Sequence, residues 1–137
     1  MTTPPTSGLL EAALYADDLD AAERFYGDTL GLPVVLKMEG RHVFFRTGQT
    51  ILLIFDPNAA ETPGDSPLAA PPHGAHGPGH ACLASDDLPA WEKHLTDYGI
   101  PVEHRITWPN GARSIYFRDP AGNSLEIAEP KLWDATP

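Results

Sequence analysis

The chain has 137 residues, with nine lysines and arginines against nineteen aspartates and glutamates, which gives a net charge of −10. The length fits one domain or two very small modules, and a content of 42% hydrophobic and 20% charged residues is typical of a globular protein. Because an acidic surface repels phosphate backbones and anionic lipids, we predict no nucleic-acid partner and no membrane partner, and expect a small molecule or another protein instead.

The amino-terminal segment 1–8 is rich in threonine and proline and has neither the basic nor the apolar region of a signal peptide. The longest apolar runs of the chain are as long as strands, too short for a membrane-spanning helix. We therefore predict a cytoplasmic protein. The single cysteine, Cys82, excludes an intrachain disulfide and a cysteine-rich zinc cluster, and we predict a small buried residue there.

The first half of the chain is predicted to contain a strand, a helix and three further strands. In the first strand Ala12 and Leu14 share one face, while Glu11 lies on the other face. Asp18 is a good N-cap for a helix whose apolar residues follow at helical spacing, and Gly31 is predicted to end that helix. An aromatic strand, a glycine turn and an apolar strand complete this half.

A proline-rich segment, 57–78, follows the first half. Its composition predicts neither a helix nor a central strand, and we interpret it as the linker between two modules at 9–56 and 79–130. Its histidines, His73 and His76, are predicted to be solvated; a lid or a metal contact is the alternative.

The second half repeats the order of the first. The sequence Asp17-Asp18-Leu19 recurs as Asp86-Asp87-Leu88, each followed by a helical pattern, a Gly-x-Pro-Val sequence, an aromatic strand ending in Phe-Arg and an apolar strand. The repeat predicts an α+β fold of two βαβββ modules. One face of each sheet is apolar and should pack on the helix, whereas the other carries isolated ionisable residues and should line a concave surface.

Three residues of the polar faces are candidate metal ligands. The offset between the two Asp-Asp-Leu sequences places His80 at the position of Glu11, and Glu126 lies near the middle of the last strand. A buried carboxylate is costly unless it is paired or binds a metal, and this donor set suits Mn²⁺, Fe²⁺, Co²⁺, Ni²⁺ or Zn²⁺. The alternative is that His80 is a hydrogen-bonded core residue and that Glu11 lies at the open end of its strand.

The chain resembles the vicinal oxygen chelate superfamily, which includes glyoxalase I, extradiol dioxygenases, fosfomycin-resistance enzymes and bleomycin-binding proteins. The resemblance is carried by three segments: LLEAALYADDLDAAERFYGDTLGL, GHACLASDDLPAW and RSIYFRDPAGNSLEI. It implies two βαβββ modules that form a U-shaped mixed sheet around a central cup, usually in a homodimer. It also implies metal ligands on the first and last strands of each module.

Glu11, His80 and Glu126 match three of the family's four ligand positions, and the fourth is Leu52, or Leu53 if the register differs by one residue. The four-ligand pattern of glyoxalase I is therefore not met. The three-ligand pattern resembles dioxygenases and fosfomycin-resistance enzymes, although these usually have histidine where Glu11 stands. The two-histidine, one-carboxylate iron site is not met either.

Further side chains are predicted to line the same cup and to bind substrate: His42, Phe44, Trp108, Arg113, Ser114 and Tyr116. The stretch R-S-I-Y-F resembles the fosfomycin-resistance enzymes, in which the positions of Ser114 and Tyr116 help to bind phosphonate. The alternative for Phe44 and Tyr116 is a role in the core.

Three functions remain open from the sequence. The first is a divalent-metal-dependent enzyme of glyoxalase, lyase or isomerase type, with dioxygenase or fosfomycin-resistance chemistry as variants. In it, Glu126 would detach from the metal and shuttle a proton, as its family counterpart is thought to do. The second is a metal-free binding protein of the bleomycin-resistance type. The third is a structural dimer with a relict site, in which Trp133 contacts the second subunit; the alternative is that Trp133 covers its own chain.

Overall fold

The computed structural model describes residues 2–134. Each half folds as a βαβββ module with a four-stranded mixed sheet, which confirms the predicted fold class. Module 1 contains β1 (Glu11–Tyr15), β2 (Val34–Met38), β3 (His42–Thr47) and β4 (Thr50–Phe55). Module 2 contains β5 (His80–Ala84), β6 (His104–Thr107), β7 (Arg113–Arg118) and β8 (Ser124–Ala128).

The two sheets have the same topology. Their orders are β1-β4-β3-β2 and β5-β8-β7-β6, and in each sheet the first pair is parallel and the others are antiparallel. Within residues 2–134 no strand pairing joins the two sheets, so β1 and β5 are edge strands. The modules are held together by one hydrophobic core, to which both contribute buried side chains, among them Leu14, Tyr26, Phe45, Leu95, Phe117 and Leu125.

Helix α1 (Leu19–Glu23) begins at the predicted cap, where Asp18 Oδ1 accepts a hydrogen bond from a backbone amide of the first turn at 3.0 Å. Regular helical spacing was predicted as far as Gly31, but after Glu23 the chain continues as a π-helical segment, Arg24–Thr29. The wider π turn accommodates two consecutive large side chains, Phe25 and Tyr26, in the core.

The predicted linker begins with a short helix, α2 (Pro57–Glu61), so the prediction that its prolines exclude a helix was wrong at this point. Pro57 occupies the first turn, where its missing N–H costs no hydrogen bond. Asp56 Oδ1 accepts from two backbone amides of the turn, at 2.9 and 3.0 Å. The remainder of the linker contains neither a helix nor a strand.

Helix α3 (Leu88–Asp97) begins at the predicted cap Asp87 and ends before Gly99, whose φ of +72° allows the left-handed turn. Leu95 is fully buried, but Tyr98, predicted in the same apolar stripe, is 53% exposed because it lies past the last helical turn. No helix within residues 2–134 has the length and apolar character needed to cross a membrane.

A buried cluster of polar groups, which we name the Asp119–Asn123 clasp, connects the modules. Asp119 Oδ2 accepts from Tyr26 Oη at 2.6 Å and from Asn123 Nδ2 at 2.8 Å. Asn123 Nδ2 also donates to the carbonyl of Tyr15 at 3.1 Å, and Asn123 Oδ1 accepts from the amide of Gly79 at 2.8 Å. The D-P-x-G-N motif of the sequence thus ties module 2 to two tyrosines of module 1.

Candidate functional site

The buried carboxylate of Glu126 is the centre of the polar face of module 2. Its Oε2 atom accepts from Ser114 Oγ at 2.6 Å, and Ser114 Oγ in turn accepts from Trp108 Nε1 at 2.8 Å. Glu126 is 5% exposed and Ser114 is 1% exposed, so this chain of hydrogen bonds is shielded from solvent. It fixes the direction in which the second carboxylate oxygen points.

His80 lies beside that second oxygen. Its Nδ1 atom is 2.9 Å from the carbonyl oxygen of Ser124, an acceptor only, so Nδ1 carries a proton and Nε2 is the ring nitrogen left to bind a cation. His80 Nε2 is 3.3 Å from Glu126 Oε1. Two donors that bind one cation at about 2.1 Å each lie roughly 3 Å apart, so the pair fits two neighbouring ligands of a divalent ion.

Two further side chains on this face have raised pKa values, mainly because of burial and to a smaller extent because of the Glu126 carboxylate. Burial and the nearby carboxylate raise the pKa of the Cys82 thiol to about 12 and raise the pKa of Tyr116 above its ordinary value. Both groups therefore stay neutral at physiological pH. The prediction that Cys82 is a buried core residue was wrong: it is exposed on the same face as His80, because β5 is an edge strand.

A cavity of about 670 Å³ opens in front of these groups and is lined by His80, Cys82, Trp108, Pro109, Asn110, Tyr116, Glu126, Leu132 and Trp133. One wall is the carboxyl-terminal 3-10 helix, Pro130–Trp133, held by Asn110 Nδ2, which donates to two of its carbonyl oxygens at 3.0 and 3.3 Å. No sequence pattern indicated Leu132 and Trp133 as lining residues, because they follow the last predicted strand.

The corresponding face of module 1 is apolar where module 2 is polar. In module 1 Ala13 pairs with Leu53, and at the equivalent place in module 2 Cys82 pairs with Glu126. The fourth ligand position of the repeat is therefore Leu53, and Leu52 belongs to the core. Leucine in place of a carboxylate leaves this face without a ligand at that position.

His42 lies in an aromatic part of the same face. Its ring stacks on Phe44 at 4.1 Å between centroids and meets the edge of Phe55 at 5.5 Å. His42 is 8% exposed, and neither ring nitrogen has a hydrogen-bond partner within residues 2–134. Burial, with a smaller contribution from the positive charge of Arg41, lowers the pKa of His42.

The linker covers one end of this aromatic face. His73 Nδ1 is 2.7 Å from Tyr15 Oη, and the His73 ring meets Phe55 at a centroid distance of 4.6 Å. His76 Nε2 is 2.6 Å from Glu61 Oε1. Both histidines are exposed, as predicted, yet each has a polar partner that the sequence did not indicate.

Replacing His42 by phenylalanine is expected to reduce the loss of stability at acidic pH. The unfolded chain protonates His42 near pH 6.5, whereas the folded protein resists protonation, so wild-type stability falls as the pH drops below that value. Between pH 7.5 and 5.5 this loss should be smaller in the variant, by no more than about 1.4 kcal/mol, which is the limit set by the pKa of the unfolded chain. Urea unfolding at both pH values measures it, and equal losses in the two proteins would contradict the assignment.

The structure brings together five of the residues predicted for the site: His80, Trp108, Ser114, Tyr116 and Glu126. The polar atoms of Ser114 and Trp108 are used to hold Glu126. His42 and Phe44 lie on the face of module 1 instead. Arg113 faces α3 and pairs with Glu129 at 3.2 Å, on the other side of β7.

Glu11 does not complete a metal site in the single chain. Across residues 2–134 no three histidine, cysteine, aspartate or glutamate side chains are grouped so as to hold a metal ion. Glu11 is exposed at the start of the edge strand β1. The three predicted ligands therefore do not meet within the described part of a single chain, and their role as metal ligands stays a prediction.

Comparison with solved structures identifies several relatives. The chain is 50% identical to a lactoylglutathione lyase from Agrobacterium tumefaciens, with a TM-score of 0.90, over 96% of this chain and 100% of that one. It is 25% identical, with a TM-score of 0.70, to a glyoxalase/bleomycin resistance/dioxygenase superfamily member from Sphaerobacter thermophilus, over 90% of this chain and 98% of that one.

A curated relative matches over a shorter stretch. The metallothiol transferase FosB of Bacillus licheniformis is 40% identical over 53 residues, which are 38% of this chain and 34% of that protein. The chain thus matches about a third of the length of this relative. The family model described as the Glyoxalase/Bleomycin resistance protein/Dioxygenase superfamily matches residues 8–127, and its coverage agrees with the two modules of the structure. The chain belongs to this superfamily.

Proposed function

We propose that the protein is a divalent-metal-dependent enzyme of glyoxalase, lyase or isomerase type, which binds a small molecule through two neighbouring oxygens. The observation that carries the proposal is the pair formed by His80 and Glu126. His80 presents Nε2, and the buried Glu126 presents Oε1, 3.3 Å away. The names of two relatives, a lactoylglutathione lyase and a metallothiol transferase, agree with metal-assisted chemistry on a small molecule.

Glu11 of a second copy is the third ligand in this proposal, which makes the protein a homodimer. Glu11 occupies in module 1 the position that His80 occupies in module 2, at the start of an edge strand. Module 2 has two ligands and an open side, whereas module 1 has one ligand and an apolar face. If module 2 of one copy faced module 1 of the other across a twofold axis, the dimer would contain two equal sites. Each site would have three ligands and open positions for substrate.

A divalent ion at this site, which the ligand types do not identify further among Zn, Ni, Mn, Fe and Co, would supply a Lewis acid for two substrate oxygens. The side chains of the protein would supply the proton transfer and the hydrogen bonding. Glu126 is placed to accept and return a proton, while its Oε2 stays bound to Ser114. Tyr116, whose pKa is raised by burial and by the Glu126 carboxylate, keeps its hydroxyl protonated beside Glu126 in the wall of the cavity.

A mixed dimer tests the proposal. Neither the His80→Ala homodimer nor the Glu11→Gln homodimer should bind metal tightly, because every site in each lacks a ligand. When the two chains are co-expressed with different affinity tags and purified as the heterodimer, one of its two sites regains all three ligands. We expect about one metal ion per heterodimer, measured by elemental analysis after removal of loosely bound metal.

Two outcomes of this experiment would contradict the proposal. A heterodimer that binds no more metal than the parent homodimers would exclude a shared site. Full metal content in the Glu11→Gln homodimer would exclude Glu11 as a ligand. Pairing His80→Ala with Glu126→Gln is the matched control, because both changes lie in module 2 and leave each site of the heterodimer one ligand short.

A metal-free binding protein is the second candidate function, and the aromatic lining of the cavity favours it. Trp108, Tyr116 and Trp133 surround the space in front of Glu126. A planar ligand could bind there by stacking without any metal. Stoichiometric ligand binding that is unaffected by His80→Ala and by chelators would favour this function over the enzyme.

A further inference from the structure

The cavity in front of Glu126 is lined by two chemically different groups of side chains. The polar group presents His80, Cys82 and Glu126. The apolar and aromatic group comes from the 108–111 turn and the carboxyl-terminal 3-10 helix, namely Trp108, Pro109, Leu132 and Trp133. Trp133 is 85% exposed, which leaves most of its surface available for contact with a ligand. A molecule that fills the cavity contacts both groups, which favours a polar head together with an apolar group.

No lysine or arginine lines this cavity in the part of the chain that the structure describes. The arginines of β7 are bound to carboxylates: Arg113 pairs with Glu129 at 3.2 Å and Arg118 with Glu103 at 2.8 Å. The whole chain carries a net charge of −10. A ligand with free carboxylates would therefore find no cationic side chain among the residues that line this cavity.

The corresponding face of module 1 is likewise mostly apolar. Its central row, Ala13, Leu53 and Phe44, is apolar, and the cation of that face, Arg46, lies in the row that also contains the carboxylate of Glu11. If this face closes the site in a dimer, it adds apolar surface opposite the two tryptophans.

We propose that the substrate carries an uncharged aromatic group, or another flat apolar group, beside its two chelating oxygens, and that Trp108 and Trp133 hold this group. This inference rests on the proposed function and names its substrate class. It differs from the substrate in the name of the Agrobacterium relative, because glutathione adds two carboxylates to a lactoyl thioester. Stacking on a tryptophan should strengthen binding by up to about tenfold.

Two matched chelators test the inference. Benzohydroxamic acid and acetohydroxamic acid present the same pair of oxygens and differ in the aromatic ring. With the full-length protein loaded with Zn²⁺, calorimetric titration should show tighter binding of benzohydroxamic acid. Trp133→Ala should lower that affinity by about tenfold and leave the affinity for acetohydroxamic acid unchanged. Tyr98→Ala, which removes an exposed aromatic ring far from the cavity lining, is the control and should change neither affinity.

The outcomes separate the inference from the proposed function. Equal affinities for the two acids, or a preference that Trp133→Ala does not reduce, would overturn the aromatic subsite. Tighter binding of S-lactoylglutathione than of benzohydroxamic acid, lost in Arg46→Ala, would overturn the claim of an uncharged group. If His80→Ala affects neither acid, the chelating site is wrong, while a preference for the ring that depends on Trp133 still supports the aromatic subsite.

Discussion

Replacing Glu126 by glutamine is expected to lower the affinity of the protein for divalent cations by more than about 100-fold. Loss of an outer-shell partner alone typically costs 10–100-fold, and this change removes a charged ligand. Glutamine has the shape of glutamate, so the cavity and the contact with Ser114 keep their dimensions. The decrease should be measured by competition against a metal-sensitive dye, with circular dichroism to confirm that the variant is folded.

Ser114→Ala is a comparison variant for which we expect a smaller loss of metal affinity than for Glu126→Gln. Ser114 does not touch the proposed cation but donates to Glu126 Oε2 at 2.6 Å, so its loss should weaken metal binding by about tenfold. Glu92→Gln, which removes a carboxylate that pairs with Arg105 and does not line the cavity, should have no effect. Equal metal affinity in wild type and Glu126→Gln would exclude the metal centre, whatever the result for Ser114→Ala.

Replacing Asn123 by alanine is expected to destabilise the fold by about 2–4 kcal/mol, since it leaves buried groups on both modules without partners. Asn123 is 1% exposed and bonds to Asp119, to the carbonyl of Tyr15 and to the amide of Gly79. The change should lower Tm by roughly 6–15 °C. Urea unfolding and thermal denaturation measure it, without any need for a substrate.

Asn58→Ala is the matched control for this effect. Asn58 is exposed on α2, and only its backbone atoms take part in hydrogen bonds within residues 2–134. Its replacement should change stability by less than about 0.5 kcal/mol. If Asn123→Ala is no more destabilising than Asn58→Ala, the Asp119–Asn123 clasp does not hold the modules together.

The fold could be predicted because the repeat contains local signals that the structure uses directly. Asp18 and Asp87 cap helices at equivalent places, and Gly99 ends the second of these helices. The alternation along the last strand correctly indicated that Glu126 is on the opposite face from the core residues that flank it. These features depend on neighbouring residues, which a single sequence shows.

Features that depend on distant contacts were not predictable in the same way. The repeat places Glu11 and His80 at equivalent positions within their modules, but it carries no information about how one module faces the other. The contact between the side-chain amide of Asn110 and the carboxyl-terminal 3-10 helix was likewise not indicated by any local pattern in the sequence. The sequence therefore indicated which side chains share the polar face of module 2, whereas the roles of Glu11, His80 and Glu126 as ligands stay a prediction.

The contrast between the two sheet faces has a consequence for how this protein could acquire new specificities. The positions of Glu126, Tyr116 and Cys82 in module 2 are filled by Leu53, Phe44 and Ala13 in module 1. In the proposed dimer, substitutions at these three apolar positions would reshape the contacts with a bound molecule while His80 and Glu126 stay intact. Duplication of one ancestral unit would in this way have separated the evolution of selectivity from the preservation of chemistry.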